Sequence, residues 1–289
     1  MKGLLVTNGF VVWDKFEKIY EMLSESFAKH DCKLIRKNNI DLMLPINEPM
    51  PQADFVLFWD KDITLAKRLE KRGLRLFNCV RALESCDDKS LTAVEMELSG
   101  IKMPKTIVAP KTFLPYNDYG FLKIIQRELE YPFVLKECFG SFGNQVWLIE
   151  DYEMLINRVR QISPRPMLFQ EYIKSSCGRD IRVQVVGNKI VAAVKRVAKE
   201  GDFRANVTNG GKMYPYSLTD KQAEMALKAC EILGVDFAGV DILFGENEEP
   251  VLCEINTNAH FKNLYDATGI NTADFIAEYI ISEVSNNKR

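Results

Sequence analysis

The 289-residue chain carries 38 Lys+Arg against 40 Asp+Glu, a formal charge of −2 at pH 7, and 47% of its residues are hydrophobic. Such a composition is that of a globular α/β-sized chain with ample material for a core, and it excludes a disordered, collagenous or coiled-coil protein. The near-neutral balance leaves no bulk electrostatic case for nucleic acid, and no apolar run approaches the ~20 residues that span a bilayer, so neither partner is expected.

The chain starts Met1-Lys2-Gly3-Leu4-Leu5-Val6-Thr7, which reads as a first strand without the small-residue cleavage site of a signal peptide. Residues 13–28 carry apolar side chains at helical spacing, 54–59 and 74–78 read as buried strands, and 64–72 as a basic helix. This alternation predicts a small α/β domain with a parallel sheet over residues 1–85. Three prolines over 45–51 mark a loop, and no G-x-G-x-x-G follows the first strand, so a dinucleotide site is unsupported.

Beyond residue 85 the pattern changes. Ser85 opens a helix that runs to about Ser99 and closes at Gly100, and residues 104–108 are extended. A helix over 119–129 precedes strands at 132–137 and 146–149, which flank the glycine-bearing loop 138–145. A strand at 167–172 is followed by strands 180–186 and 189–197 around the hairpin turn Gly187-Asn188. A polar stretch, 199–212, leads to a helix over 220–233, a hairpin pairing 237–244 with 250–256, and a terminal helix over 272–284. The seven cysteines are scattered and never form C-x-x-C, which predicts reduced thiols in a cytoplasmic protein. Only His30 and His260 are present, too few for a His-rich zinc site, and no G-x-S-x-G elbow accompanies them.

The last hairpin is the most informative segment. Strand alternation puts Glu254 and Asn256 on one face with Cys253 and Ile255 on the other, and a turn near residues 247 and 248 brings Asp241 opposite Glu254. Two carboxylates and an amide oxygen then converge. This is either a hard-oxygen Mg²⁺ site or a solvated acidic hairpin, and the apolar flanks favour the metal. Lys136 lies within a strand just ahead of Gly140-Ser141-Phe142-Gly143, a loop that can cradle phosphate or serve as an ordinary hairpin turn; it is not a Walker A loop. Four basic residues between Lys195 and Asn206 can fork onto a terminal phosphate or form a solvated surface loop.

Taken in order, Lys89, Lys136 with its glycine loop, Gln170-Glu171-Tyr172-Ile173-Lys174, Asp180-Ile181-Arg182, Ala198-Lys199-Glu200-Gly201-Asp202-Phe203-Arg204, Ala238-Gly239-Val240-Asp241-Ile242 and Glu254-Ile255-Asn256 resemble the ATP-grasp ligases. Within them the chain is similar to the RimK type, the ribosomal-protein glutamate ligases and their relatives, over about residues 85–282. The resemblance implies an ATP-grasp fold behind the small α/β domain, with a central subdomain over 86–172 and a C-terminal subdomain over 173–289.

It further implies that Lys89 and Lys136 contact nucleotide phosphates under the loop of Gly140, Ser141 and Gly143. Gln170, Glu171, Tyr172 and Ile173 would form the adenine hinge, and Asp180 would bind the ribose. Arg204 and Asn206 would reach the triphosphate, Arg182 and Arg196 would serve an acyl-phosphate, and Asp241, Glu254 and Asn256 would hold one or two Mg²⁺, or Mn²⁺ in its place. Two segments depart from the RimK pattern: Thr257-Asn258-Ala259-His260-Phe261 replaces a small residue followed by Ser-Pro-Gly, and Thr208-Asn209 replaces His-Arg before Gly210-Gly211. Both lie on the substrate side, where His260 is either a substrate contact or base, or a structural residue.

The activity expected is ATP-dependent ligation of a carboxylate to an amine, with an amino acid such as glutamate as one substrate, through an acyl-phosphate. A small-molecule kinase on the same scaffold and a non-catalytic nucleotide-binding module are the alternatives. A homo-oligomer is compatible with the sequence.

Overall fold

The structure is a computed structural model describing residues 1–141, 143–205 and 210–286. The first sheet is formed by β1 (Lys2–Thr7), β2 (Lys33–Asn38), β3 (Phe55–Trp59) and β4 (Leu76–Phe77), all parallel in the order β2-β1-β3-β4. Helices α1 (Asp14–Ala28) and α2 (Ile63–Lys71) connect them. The central strands are apolar on both sides because both sides are covered. Leu4, Val6, Val56 and Phe58 face α2, while Leu5, Phe55, Leu57 and Trp59 face α1. Strand β2 was not expected: its sequence, KLIRKN, is charged because it is the solvent-facing edge.

The single helix expected from Ser85 to Ser99 is two helices, α3 (Val80–Asp87) and α4 (Lys89–Glu95). Asp88 separates them with extended dihedrals, and its side chain accepts from the Ser90 N–H at 2.8 Å, so an N-cap residue interrupts the run.

A second sheet, antiparallel, orders β5 (Thr106–Val108), β8 (Met167–Glu171), β6 (Phe133–Glu137) and β7 (Val146–Ile149). Its Phe133, Leu135 and Phe169 pack against α5 (Leu122–Glu128) and α6 (Tyr152–Ile162). By alternation its other face carries Lys136 and Gln170. Helix α6 escaped the sequence reading although Asp151 caps it by accepting from the Met154 N–H.

The third sheet is antiparallel in the order β11 (Lys212–Pro215), β10 (Lys189–Val197), β9 (Arg179–Val186), β12 (Phe237–Phe244), β13 (Pro250–Asn256). Ile181, Val183, Val240, Ile242 and Ile255 bury one face against α7 (Asp220–Leu233), which a Thr219/Gln222 capping box starts and Gly234 ends in the left-handed conformation. The opposite face presents Asp180, Arg182, Asp241, Glu254 and Asn256. Two further helices, α8 (Lys262–Thr268) and α9 (Thr272–Asn286), end the described chain. Among the described residues no helix is long and apolar enough to cross a membrane.

Long-range packing fixes the three sheets around one cleft. Ile276 and Ile280 of α9 share a core with Phe27 of α1, with Phe55 and Phe77 of the first sheet and with Phe237 and Phe261, while Ala82, Cys86 and Met96 join the core beneath the third sheet. Asp236 sits at this junction, bonded to Arg75 at 2.8 Å and to the Tyr279 hydroxyl at 3.1 Å, with its Oδ2 unpartnered among the described residues. Burial pushes its carboxyl up to about 6, against the pull of Arg75.

A carboxyl raised from ~3.9 in the unfolded chain to about 6 in the fold binds more protons when folded, so its stabilising contribution is full below pH 4 and lost as pH rises through 6. Asp236→Asn is therefore expected to raise stability at pH 7 by on the order of 1–3 kcal/mol and to flatten its pH dependence between 4 and 6. Urea unfolding across that range checks it; an equally steep profile in the variant would refute it.

Candidate active site

The three sheets enclose a cavity of about 550 Å³, within the range of small-molecule sites. The third sheet supplies its charged floor, and the register dictates the pairs. Asp241 lies opposite Glu254 on one side and Arg182 on the other, and Asp180 lies opposite Arg196. The expected juxtaposition of Asp241 and Glu254 is thus present. Unexpected is what balances it.

Arg182 donates to both oxygens of Asp241, Arg196 reaches Asp241 Oδ2 at 2.9 Å, and Arg196 also forms a bidentate pair with Asp180 at 2.6 Å and 2.6 Å. Two buried guanidiniums therefore neutralise two buried carboxylates. Burial works to raise the Asp241 carboxyl, but Arg182 and Arg196 outweigh it and hold it below the usual carboxylate range. Asp180 is raised by burial against the pull of Arg196. Asp180, expected to bind the ribose, lines the cavity with both oxygens paired to Arg196, which the β9–β10 register sets opposite it.

Room for Arg182 comes from Gly239: a Cβ there would lie 2.5 Å from the Ala259 Cβ and 2.9 Å from the Arg182 Cδ. The side chains of Glu254 and Asn256 line the cavity with no hydrogen-bond or ion-pair partner among the described residues. The expectation that Cys253 faces away from them is corrected by a register shift between Asp241 and Ile242, which pairs Ile242 with Leu252 and leaves Cys253 as an extra residue. This bulge turns Cys253 into the cavity, 4.0 Å from Lys136 Nζ, while Ile255 stays in the core.

The second sheet forms the opposing wall. Lys136 is 8% exposed, donates to Gln170 Oε1 at 2.7 Å, and has no carboxylate within 4.0 Å among the described residues. Gln170 completes the bridge to Thr106 Oγ1 at 2.9 Å. The chain leaves β8 through Glu171, Tyr172 and Ile173, all on the cavity wall, with Tyr172 edge-on to Phe203 at 6.0 Å.

The glycine loop joins β6 to β7 as a hairpin connection. Gly140 takes a positive φ and packs so closely on Gln145 that a Cβ would meet its amide oxygen at 2.4 Å. Ser141 and Gly143 line the cavity; Lys89 and Gly140 stand behind the wall, where Lys89 donates to the Gly140 carbonyl at 3.4 Å. Arg204 lines the cavity, paired with Asp202, and reaches the Gly143 carbonyl at 2.8 Å, so the basic segment rests on the glycine loop. Phe142 and Asn206 lie outside the described residues.

The sequence reading missed the first domain's contribution. Asn8 and Lys15 follow β1, Asp60 follows β3, and all three line the cavity. The signal was available: ligands of parallel sheets gather at the carboxyl ends of the strands. His260 stacks edge-on to Phe16 at 5.8 Å, and its Nε2–H donates to the Lys15 carbonyl at 3.1 Å. Burial pushes its pKa down to about 4, so the ring is neutral at pH 7 and ties α1 to the segment after β13.

Comparison with known proteins adds the following. The family model of the RimK-like ATP-grasp domain matches residues 87–280. Human N-acetylaspartylglutamate synthase A is 33% identical over 230 residues, covering 79% of this chain and 58% of that protein. Zebrafish (Danio rerio) beta-citrylglutamate synthase B is 34% identical over 77% of this chain and 54% of its own length, so the chain spans little more than half of either. A probable alpha-L-glutamate ligase of Legionella pneumophila is 33% identical over 77% of this chain and 73% of its own. Among solved structures, a RimK domain ATP-grasp protein of Sphaerobacter thermophilus superposes with a TM-score of 0.76 at 19% identity, over 96% of this chain and 99% of the other. The D-alanine–D-alanine ligase of Bacillus anthracis gives 0.72 at 17% identity, over 99% and 98%. At these identities the two superpositions establish the fold.

Proposed function

The chain belongs to the RimK-like ATP-grasp family, and on that premise we propose that it is an ATP-dependent ligase joining the amino group of L-glutamate, or a closely similar amino acid, to a carboxylate through an acyl-phosphate. The observation that carries this reading is Lys136. A lysine 8% exposed that meets, among the described residues, only an amide oxygen and a thiol has no counter-ion among them, and an anion entering the cavity supplies one. Phosphate beside Lys136, under the backbone of Ser141 and Gly143, satisfies that need. The base would lie along Glu171, Tyr172 and Ile173.

The donor set facing Lys136 suits Mg²⁺. Glu254 and Asn256 offer hard oxygens that no described side chain engages and would hold the ion, while Asp241, both of whose oxygens are taken by Arg182 and Arg196, would anchor those arginines beside it. When bound, Mg²⁺ would neutralise charge on the phosphate oxygens. Arg182 and Arg196, held in place by Asp241 and Asp180, are aimed to stabilise negative charge as the γ-phosphoryl passes to the substrate carboxylate. Arg204, seated on the Gly143 carbonyl, closes the cleft against water. Attack of the amine on the acyl-phosphate then expels phosphate and forms the amide.

The test is a matrix of carboxylic acids with L-glutamate, read as ADP release, with hydroxylamine as a trap. Hydroxamate formed from one carboxylate, and an amide with glutamate seen by mass spectrometry, are the expected results. ADP without hydroxamate would instead mark a kinase, and no ADP with any pair would mark a binding module.

A further inference from the structure

The cavity continues past the charged floor to the first domain, where two buried side-chain oxygens lack a partner among the described residues. Asp60, 4% exposed, accepts through Oδ1 from Asn8 Nδ2 at 2.9 Å and from the Lys61 N–H at 2.7 Å. Its Oδ2 is buried with no partner among the described residues. Asn258 donates through Nδ2 to the Asp60 carbonyl at 2.9 Å, and its Oδ1 is likewise buried and unpartnered. Both side chains belong to the cavity wall.

Two N–H groups donate to Asp60 Oδ1, and its second oxygen is left unmatched; burial raises the carboxyl pKa, and a positive charge beside Oδ2 would oppose that shift. Buried polar atoms without partners cost ~1–3 kcal/mol each, more when charged, and a fold keeps them where something else pairs with them. Two buried acceptors on one wall, linked through the Asn258 Nδ2 bond to the Asp60 carbonyl, call for a donor with several hydrogens and a positive charge.

The surroundings agree. Trp13, Phe16 and Trp59 line the same part of the cavity, and aromatic faces favour a cation. Lys15 already lays its ammonium over the Trp13 and Phe16 rings at 4.6 Å and 5.4 Å, which shows that this wall accepts such a group.

We propose that Asp60 Oδ2 and Asn258 Oδ1 form the subsite for the ammonium group of the amine substrate, selecting an α-amino acid in zwitterionic form. Asn258 lies two residues beyond Asn256, so the subsite adjoins the floor where the acyl-phosphate would stand. It rests on the ligase reading for the identity of its ligand, and it assigns a role to Asn258 within the segment 257–261 that departs from the RimK pattern.

The probes are L-glutamate and glutarate, the same dicarboxylate without the amino group, titrated by calorimetry into protein saturated with ADP and Mg²⁺. Wild-type protein is expected to prefer glutamate. Asp60→Asn should reduce that preference by on the order of tenfold to a hundredfold, the loss of one charge-assisted hydrogen bond, while the affinity for ADP holds. Asn258→Ala should lower the preference in the same direction and carries the measurement if Asp60→Asn does not accumulate as folded protein. A wild-type protein that binds the two ligands equally, or variants that keep the preference, would overturn the subsite. Absence of hydroxamate in the trapping assay with these binding results intact would sink the ligase reading alone.

Discussion

Glu254→Gln is expected to reduce turnover by on the order of 10²- to 10³-fold, the kinetic equivalent of losing several kcal/mol of metal-dependent charge stabilisation, without weakening the fold. The two halves of this expectation have separate physical grounds. Glu254 faces the cavity with no ion pair to lose among the described residues, and its cross-strand neighbour is the carboxylate of Asp241. Removing one of two like charges placed opposite each other relieves repulsion, so the ligand-free midpoint should hold or rise slightly. The oxygen that remains in glutamine keeps shape and a ligand atom but loses the charge that attracts a divalent cation. Steady-state kinetics against Mg²⁺ concentration, paired with thermal unfolding, measures both halves. Full activity at ordinary Mg²⁺ concentrations would remove this hairpin from the metal site.

Arg196→Gln should produce the opposite profile, a large loss of stability in the ligand-free protein. Arg196 is shared by Asp180 and Asp241, and both are buried beneath it. Breaking a buried pair by deleting one partner costs about 3–5 kcal/mol, since the carboxylates stay behind uncompensated; Asp241 retains Arg182, and Asp180 is left alone. The deficit should shrink on acidification. A carboxyl whose folded-state pKa is raised, as burial already raises Asp180, contributes stability below its unfolded value of ~3.9 and loses it as pH rises through the folded value. Urea titrations at pH 7 and pH 5 compare the cases. A variant as stable as wild type at pH 7 would mean that the guanidinium is dispensable to the fold.

Which parts of this were readable in the chain follows from how local each signal is. The bounds of the final hairpin and the pairing of Asp241 with Glu254 were legible, because the turn chemistry and the apolar flanks are both written within residues 237–256. The capped helix α7 was equally plain. Strand β2 was not, since an edge strand needs few apolar residues and its pairing with β1 is made across the whole of α1. The bulge at Cys253 was hidden for a related reason: one extra residue in a ladder leaves no mark in a pattern of seven residues.

By itself the sequence determined the fold family, through motifs recurring in order along the chain, and singled out Lys136, Asp241, Glu254 and Asn256, which the structure gathers in one cavity. Only the tertiary structure decided that Asp180 and Asp241 are clamped by Arg196 and Arg182, because that pairing arises where β9, β10 and β12 align from separate stretches of chain. It likewise decided that Asp60, brought beside Asn258 from 198 residues away, belongs to the same cavity as Glu254. Charges find their partners through space, and the burial of apolar helix α9 against the first sheet is the force that brings these distant segments within reach of one another.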